Sequence, residues 1–470
     1  MTETFPATRV EVALAHIRGR IAERPWAEGE RLPSVRRLSD ALGFSKSTVV
    51  DAYDRLVAEG ALTARRGSGF YVARTERKPL MRALDQPPLD RAIDPLWVMR
   101  HVSLAKPGTP APGQGCLPES WMPDDSVQKA LHATTRLDAR TRLNYDEPLG
   151  YAPLRELLAG RESERGVRVA ADQIILTDSA TQALDFVLRF LVAPGDVVAV
   201  DEPTYFNFRS LLRAHRAEIT SIPITPEGPD LAAMEQVFAS RKPKLYISIG
   251  GPHNPTGATI SAARAHQVLK LAERHDVLVC EDDVFADFEP VPGPRLAGFD
   301  GLDRVVRIGA LTKTVSGALR AGYIMARPEW IEPLIDVKLA TTLGNSRGTA
   351  AVVHHVLTQG GFRRHLDALR AKLSAATGRT LRRLNEAGLT PWTEPRCGIF
   401  IWAKLPEGVD AAHVARAGLE RGVIFAPGQV FGDSSEVGRY LRFNVAHCAS
   451  PIVWETLDFA IGRTRERKRS

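Results

Sequence analysis

A lysine set just past an apolar strand, with an arginine seven residues beyond it, constrains this chain more than any other feature. The stretch is Gly309-Ala310-Leu311-Thr312-Lys313-Thr314, followed by Arg320 and Gly322. A lysine that forms a Schiff base must lie where its amine meets a carbonyl and can shed its proton, and a guanidinium nearby matches a phosphate with paired donors. Taken alone, such a pair in a loop is commonly solvated surface. Taken with what surrounds it, the spacing suits pyridoxal 5'-phosphate.

Three further segments carry the same chemistry. Thr177-Asp178-Ser179-Ala180-Thr181-Gln182 follows the apolar run Ile174-Ile175-Leu176 and opens a helical pattern through Leu184, Val187, Leu188 and Leu191. Small hydroxyl residues and free amides at a helix start form a phosphate cradle, although an ordinary N-cap has the same composition. Gly251-Pro252-His253-Asn254-Pro255-Thr256-Gly257 comes directly after Leu245-Tyr246-Ile247-Ser248-Ile249 and presents an asparagine amide braced between prolines, where a simple turn tolerates many other sequences. Val277-Leu278-Val279-Cys280-Glu281-Asp282-Asp283 reads as a buried strand with carboxylates at its C-terminal end, which is where open α/β sheets bind ligands.

On these residues, the region from about 101 to 470 resembles the fold-type I aminotransferase domain, with its motifs in order. The resemblance implies that Lys313 is the Schiff-base residue and that Asp282 pairs with the pyridinium nitrogen, keeping the ring an electron sink. It places Asn254 on the ring hydroxyl and Tyr205, in Asp201-Glu202-Pro203-Thr204-Tyr205, against the ring face. Ser179, Ala180, Thr181 and Arg320 would hold the phosphate. Tyr145, in Asn144-Tyr145-Asp146-Glu147-Pro148-Leu149-Gly150, resembles the tyrosine that reaches a neighbouring subunit's phosphate. Arg442, in Tyr440-Leu441-Arg442-Phe443-Asn444, stands where the family grips a substrate carboxylate. Two positions depart from the pattern: Phe285 replaces a tyrosine three residues after the aspartate, and Ala310 replaces a hydroxyl residue three before the lysine. Phe285 cannot donate to the ring oxygen, and each lost bond to a charged group is worth roughly 1.5–3 kcal/mol. Cofactor binding is expected to survive and turnover to be weak.

The front of the chain has a different pattern. Residues 8–24 read as an amphipathic helix with Val12, Ala13, Ile17 and Ile21 at helical spacing. Ser34 can cap a second helix ending at Leu42 before Gly43, and Ser45 a third that turns Val49, Ala52, Tyr53, Leu56 and Val57 inward. Lys46, Ser47 and Thr48 are left on its exposed first turn, the arrangement of a helix-turn-helix whose second helix enters the major groove. Ala61-Leu62-Thr63-Ala64 and Gly69-Phe70-Tyr71-Val72 flank Arg65-Arg66-Gly67-Ser68 as a hairpin with a basic tip. Pattern alone is equally compatible with a small protein-interaction module. Charge does not decide it, since residues 1–74 hold twelve Lys and Arg against nine Asp and Glu. Residues 31–72 resemble the winged-helix domain of the GntR regulators through Leu32-Pro33-Ser34-Val35-Arg36, Ser47-Thr48-Val49, Ala52-Tyr53-Asp54-Arg55-Leu56 and the Glu59-Gly60 to Gly67-Ser68-Gly69 wing. That implies double-stranded DNA as partner, contacted by Arg36, Lys46, Ser47, Thr48, Arg66 and Gly67.

Residues 75–100 read by composition as a linker, with Leu96, Trp97, Val98 and Met99 docking on the larger domain. The expected plan is therefore α/β: a small winged helix-turn-helix over 1–74, a linker over 75–100, and a large PLP-dependent transferase fold (fold type I) domain over 101–470. The 470 residues, 44% hydrophobic, supply ample core for two or three domains. Four cysteines without paired spacing indicate neither a disulfide framework nor a zinc site. No apolar run approaches the ~20 residues that span a bilayer, and the start lacks a signal peptide's regions, so a cytoplasmic protein is expected. A winged helix ahead of an aminotransferase-like domain resembles the MocR subfamily of bacterial transcription regulators over essentially the full length. That resemblance implies a head-to-tail homodimer that senses a small amine or amino acid by exchange at the Schiff base. A true aminotransferase with an accessory DNA-binding module, or a sensor of pyridoxal phosphate itself, are the alternatives.

Overall fold

The computed structural model describes residues 8–22, 29–65, 67–73, 93–139 and 143–467. The chain divides into two compact units, Met1–Asp85 and Gln86–Ser470.

In the smaller unit three helices, α1 (Arg9–Ala22), α2 (Val35–Leu42) and α3 (Lys46–Ala58), precede the antiparallel hairpin β1 (Leu62–Arg65) and β2 (Gly69–Val72). Serines set both later helix starts. Ser34 Oγ accepts from the Arg37 amide at 3.3 Å and Ser45 Oγ from the Thr48 amide at 3.2 Å, each filling a donor that the helix itself leaves open. Gly43 ends α2 at φ 66°, a left-handed position that costs a residue with a Cβ. Ala13, Ile17, Leu38, Val49, Ala52, Tyr53 and Leu56 form the core, and Tyr53 stacks on Phe70 of β2 at 4.3 Å. Val12 does not share this face. It is exposed, and the apolar stripe of α1 runs instead through Val10, Ala13, Leu14, Ile17 and Ile21.

The larger unit is built on an eight-stranded sheet in the order β3-β10-β9-β8-β7-β4-β5-β6. These strands are β3 (Ile174–Thr177), β4 (Val197–Glu202), β5 (Glu218–Thr225), β6 (Gly228–Pro229), β7 (Leu245–Ser248), β8 (Leu278–Asp282), β9 (Val305–Ala310) and β10 (Gly322–Met325). The pairs from β9 through β8, β7 and β4 to β5 are parallel, while β10 runs antiparallel between β9 and β3. Strands β3, β7 and β10 are buried at every position, as a sheet covered by helices on both faces requires. A second, antiparallel sheet, β11 (Thr390–Pro391), β12 (Phe400–Lys404), β14 (Tyr440–Asn444) and β13 (Ala426–Pro427), carries the C-terminal part. The helix Trp97–Leu104 is part of this unit: Trp97 and Val98 are buried in its core, whereas Met99, expected to dock beside them, is exposed. Among the described residues no helix is long and apolar enough to cross a membrane.

Candidate functional site

Parallel strands deliver the polar ends of their sequences to one edge of the sheet. Asp282 is the last residue of β8, and Lys313 lies three residues past the end of β9. Asn254 follows β7, and Tyr205 follows β4. From the other sheet, Arg442 in β14 reaches into the same space.

Lys313 is half-buried, donates to the Gly115 carbonyl at 2.8 Å, and lies 5.7 Å from the Phe285 ring centre. Asp282 is buried. Burial pushes its carboxyl up to about 7, Asp283 adds to this, and the Val284 amide and the Lys313 charge act in the opposite direction. Tyr205 packs against Phe206 and Phe208, and burial raises its phenol to about 12 with Arg442 and Asp282 both close enough to act on it. Asn254 is buried and accepts from Arg442 at 2.7 Å, which commits its oxygen and leaves its NH2 as a donor. Arg442 also donates to the Gly113 carbonyl at 2.6 Å and lies over the rings of Phe400 and Phe431 at 4.2 and 4.7 Å. Only 1% of Arg442 is exposed, its Nε has no partner, and among the described residues no carboxylate pairs with it; burial lowers its guanidinium to about 9. A buried cation without a counter-ion is costly, and an anionic ligand is what relieves it.

The sequence around Ser179 forms a helix start. Ser179 Oγ accepts from the Gln182 amide at 3.0 Å and heads the helix Ala180–Leu191. Gly322 packs against this turn so closely that a Cβ there would stand 2.4 Å from the Ser179 carbonyl carbon. Thr181 is exposed at the same helix start. Arg320, with φ 45°, is also exposed; burial raises the Asp178 carboxyl, and Gln182, Lys338 and Arg320 offset this only in part. Ala310 faces Gly322 across β9 and β10 and contributes no hydroxyl. Tyr145 is 82% exposed and lines a separate cavity of about 620 Å³ with Asp146, Asn345 and Arg347. Thus Lys313, Asp282, Asn254, Tyr205 and Arg442 share one space, Ser179 and Ala180 form a helix start, and Tyr145 faces outward.

This set fits pyridoxal 5'-phosphate. An amine, a buried acid, a free amide donor and an aromatic face surround the space, and the turn held by Gly322 supplies helix N-terminal amides for a phosphate. Phe285, buried between Phe288 and Phe400, is an apolar wall where a ring-oxygen donor is missing.

The segment Gly113–Cys116 went unread in the sequence. Besides Gly113 and Gly115, its Gln114 and Cys116 carbonyls accept from Asn444 Nδ2 at 3.0 and 2.8 Å. The paired glycines were its sequence signal.

In the smaller unit, Arg36, Lys46 and Ser47 are exposed and Thr48 is half-buried, its hydroxyl 2.8 Å from Ser45 Oγ. Gly67 is exposed at the hairpin turn with φ 72°. Arg66 lies outside the described residues.

Two families match this chain. The family described as aminotransferase class I and II matches residues 117–453, and the family described as bacterial regulatory proteins, gntR family, matches residues 9–72. The uncharacterized HTH-type transcriptional regulator YjiR of Escherichia coli (strain K12) is 29% identical over 469 residues, covering 95% of this chain and 96% of the relative. The HTH-type transcriptional regulator NorG of Staphylococcus aureus (strain USA300) is 24% identical, covering 86% and 93%. Among solved structures, the α-aminoadipate aminotransferase LysN of Thermus thermophilus, complexed with N-(5'-phosphopyridoxyl)-L-leucine, is similar with a TM-score of 0.71. It is 25% identical, and the match covers 79% of this chain and 95% of that one. The chain therefore belongs to the aminotransferase class I and II family over most of its length and carries a gntR-family domain ahead of it, the domain order of the MocR regulators.

Proposed function

We propose that this protein is a DNA-binding transcription regulator whose larger domain holds pyridoxal 5'-phosphate and uses it to recognise a small amino compound bearing a carboxylate. The observation that carries the reading is Arg442: a buried guanidinium without a carboxylate partner, in the same space as a lysine and a buried aspartate. Lys313, Asp282, Asn254, Tyr205, Ser179, Ala180, Thr181 and Arg320 would hold the cofactor, and Tyr145, exposed on the surface, would reach the phosphate of a second copy in a head-to-tail dimer. When bound, the cofactor supplies a carbonyl carbon that a primary amine can capture and a ring that draws off electron density. Lys313 holds or releases a proton at Nζ. Asp282, once charged, keeps a proton on the ring nitrogen. Arg442 binds the carboxylate of the incoming compound, which orients its amine toward Lys313 and gives up the bonds to Gly113 and Asn254. A ligand changes DNA binding only by its unequal affinity for two arrangements of the protein, with couplings typically on the order of 1–3 kcal/mol.

In the smaller domain the exposed first turn of α3, with Lys46 and Ser47, and Arg36 of α2 would meet an operator, and Arg66 and Gly67 would follow from the wing. A regulator of this kind works in the cytoplasm. Relatives named as HTH-type transcriptional regulators over nearly the whole length support this reading over a dedicated aminotransferase. Phe285 supports it too, since it leaves the Asn254 amide as the donor to the ring oxygen without the second donor that a tyrosine would add. Absorbance of the purified protein, borohydride reduction and peptide mapping test the site: a phosphopyridoxyl group is expected on Lys313, and no band after added cofactor refutes it. Release of an oxo acid with stoichiometric pyridoxamine phosphate favours the aminotransferase instead.

A further inference from the structure

Two residues that directly follow site residues, Thr314 after Lys313 and Asp283 after Asp282, are the ends of one line of buried polar contacts. Thr314 Oγ1 donates to Asp287 Oδ2 at 2.7 Å. Asp287 Oδ1 accepts from Arg161 at 2.7 Å and from Arg165. Arg165 pairs with Glu162 at 2.7 Å, Glu162 with Arg307 at 2.7 Å, and Arg307 with Asp283. The backbone carbonyl of Asp287 is held as well, accepting from Arg370 Nε at 3.0 Å. None of Thr314, Asp287, Glu162, Arg307 or Asp283 exceeds 7% exposure.

Packed apolar side chains generally stabilise an interior as well as a buried ion network does, so stability alone does not account for this one. What the paired charges of this network add is a fixed geometry, because each partner lost leaves a buried charge unpaired, and among the described residues atoms such as Arg307 Nε and Asp283 Oδ1 already find no hydrogen-bond partner. Here the fixed geometry lies between the loop that carries the lysine and the strand end that carries the aspartate. Burial raises the Asp287 carboxyl, but Arg161 and Arg165 more than offset this and hold it at about 2, so its bond to Thr314 persists across the working pH range.

We propose that Asp287 is a positioning residue for the cofactor lysine: through Thr314 it anchors the Lys313 loop, and through Arg165, Glu162, Arg307 and Asp283 it keeps that loop in register with Asp282. The inference rests on the cofactor reading above and adds to it residues that touch neither ligand.

The test uses the full-length, cofactor-loaded protein and two readouts: the pH midpoint of its visible absorbance change, and the affinity for pyridoxal 5'-phosphate. Thr314→Val removes only the hydroxyl and keeps the shape. It is expected to move the midpoint by about half a pH unit or more and to weaken cofactor binding roughly tenfold, the scale of one bond to a charged group. Thr314→Ser is expected to restore both values. Asp287→Asn should move them in the same direction, and if that variant fails to fold, the threonine pair decides. A Thr314→Val protein that melts at a lower temperature but keeps the wild-type midpoint and affinity overturns the proposal and leaves a structural role. A wild-type protein with no visible band overturns the cofactor reading, and this inference with it; a wild-type band beside an unchanged Thr314→Val overturns the inference alone.

Discussion

Arg442 donates to the side-chain oxygen of Asn254 at 2.7 Å, so the residue suited to grip a ligand carboxylate is bonded directly to the residue suited to meet the ring. Replacing Arg442 with Met keeps the packing against Phe400 and Phe431 but removes the cation. A carboxylated amine should then bind about 10- to 100-fold more weakly, the worth of charged hydrogen bonds, while a simple alkylamine binds as before. Spectral titration with the two ligand types checks this.

Asp282 makes stability depend on pH in the cofactor-free protein. Burial raises its folded value to about 7, well above that of an exposed aspartate near 3.9. Between about pH 4 and 7 the folded form therefore binds the proton that the unfolded chain has released, and stability falls as pH rises through that window. The contribution is at most roughly 4 kcal/mol, and Asp282→Asn should remove it. Urea unfolding of both cofactor-free proteins at pH 5 and pH 8 is the check. Loading the wild type should lessen the slope, because a protonated ring nitrogen favours the charged carboxylate.

Lys46 and Lys313 act in separate units. Lys46→Ala should weaken DNA binding, flatten its dependence on log salt by about 0.9 if one phosphate contact is lost, and leave the cofactor spectrum unchanged. Fluorescence anisotropy across a salt series, with absorbance on the same sample, measures both.

Phe285→Tyr places a donor on the wall beside Lys313. Its ring is 5.7 Å from Nζ and its neighbours are Phe288 and Phe400. One added hydrogen bond of about 1–1.5 kcal/mol should raise single-turnover transamination roughly tenfold. Stopped-flow absorbance with an amino acid measures the rate.

The residues most legible in the sequence were those placed by a strand end. Lys313, Asp282, Asn254 and Tyr205 each follow an apolar run, and a parallel sheet carries such positions to one edge. The serine caps of α2 and α3 were legible for a similar reason, since they act on amides three residues away. Contacts between distant segments were not. Nothing local to Thr314 announces Asp287, and the paired glycines of Gly113–Cys116 mark the segment without pointing to Asn444, more than 300 residues on. Val12 is turned away because adjacent helix residues stand about 100° apart, so it lies off the stripe that Ala13, Ile17 and Ile21 share at four-residue spacing.

The most direct test of the account is DNA binding by the cofactor-loaded protein, measured on a fragment from upstream of its own gene while a panel of carboxylated amines is added. The wild type should change affinity by about 5- to 150-fold with at least one amine, and Lys313→Ala should bind DNA without responding. An equal response in both proteins would contradict the claim that Lys313 chemistry is what the DNA-binding domain reads.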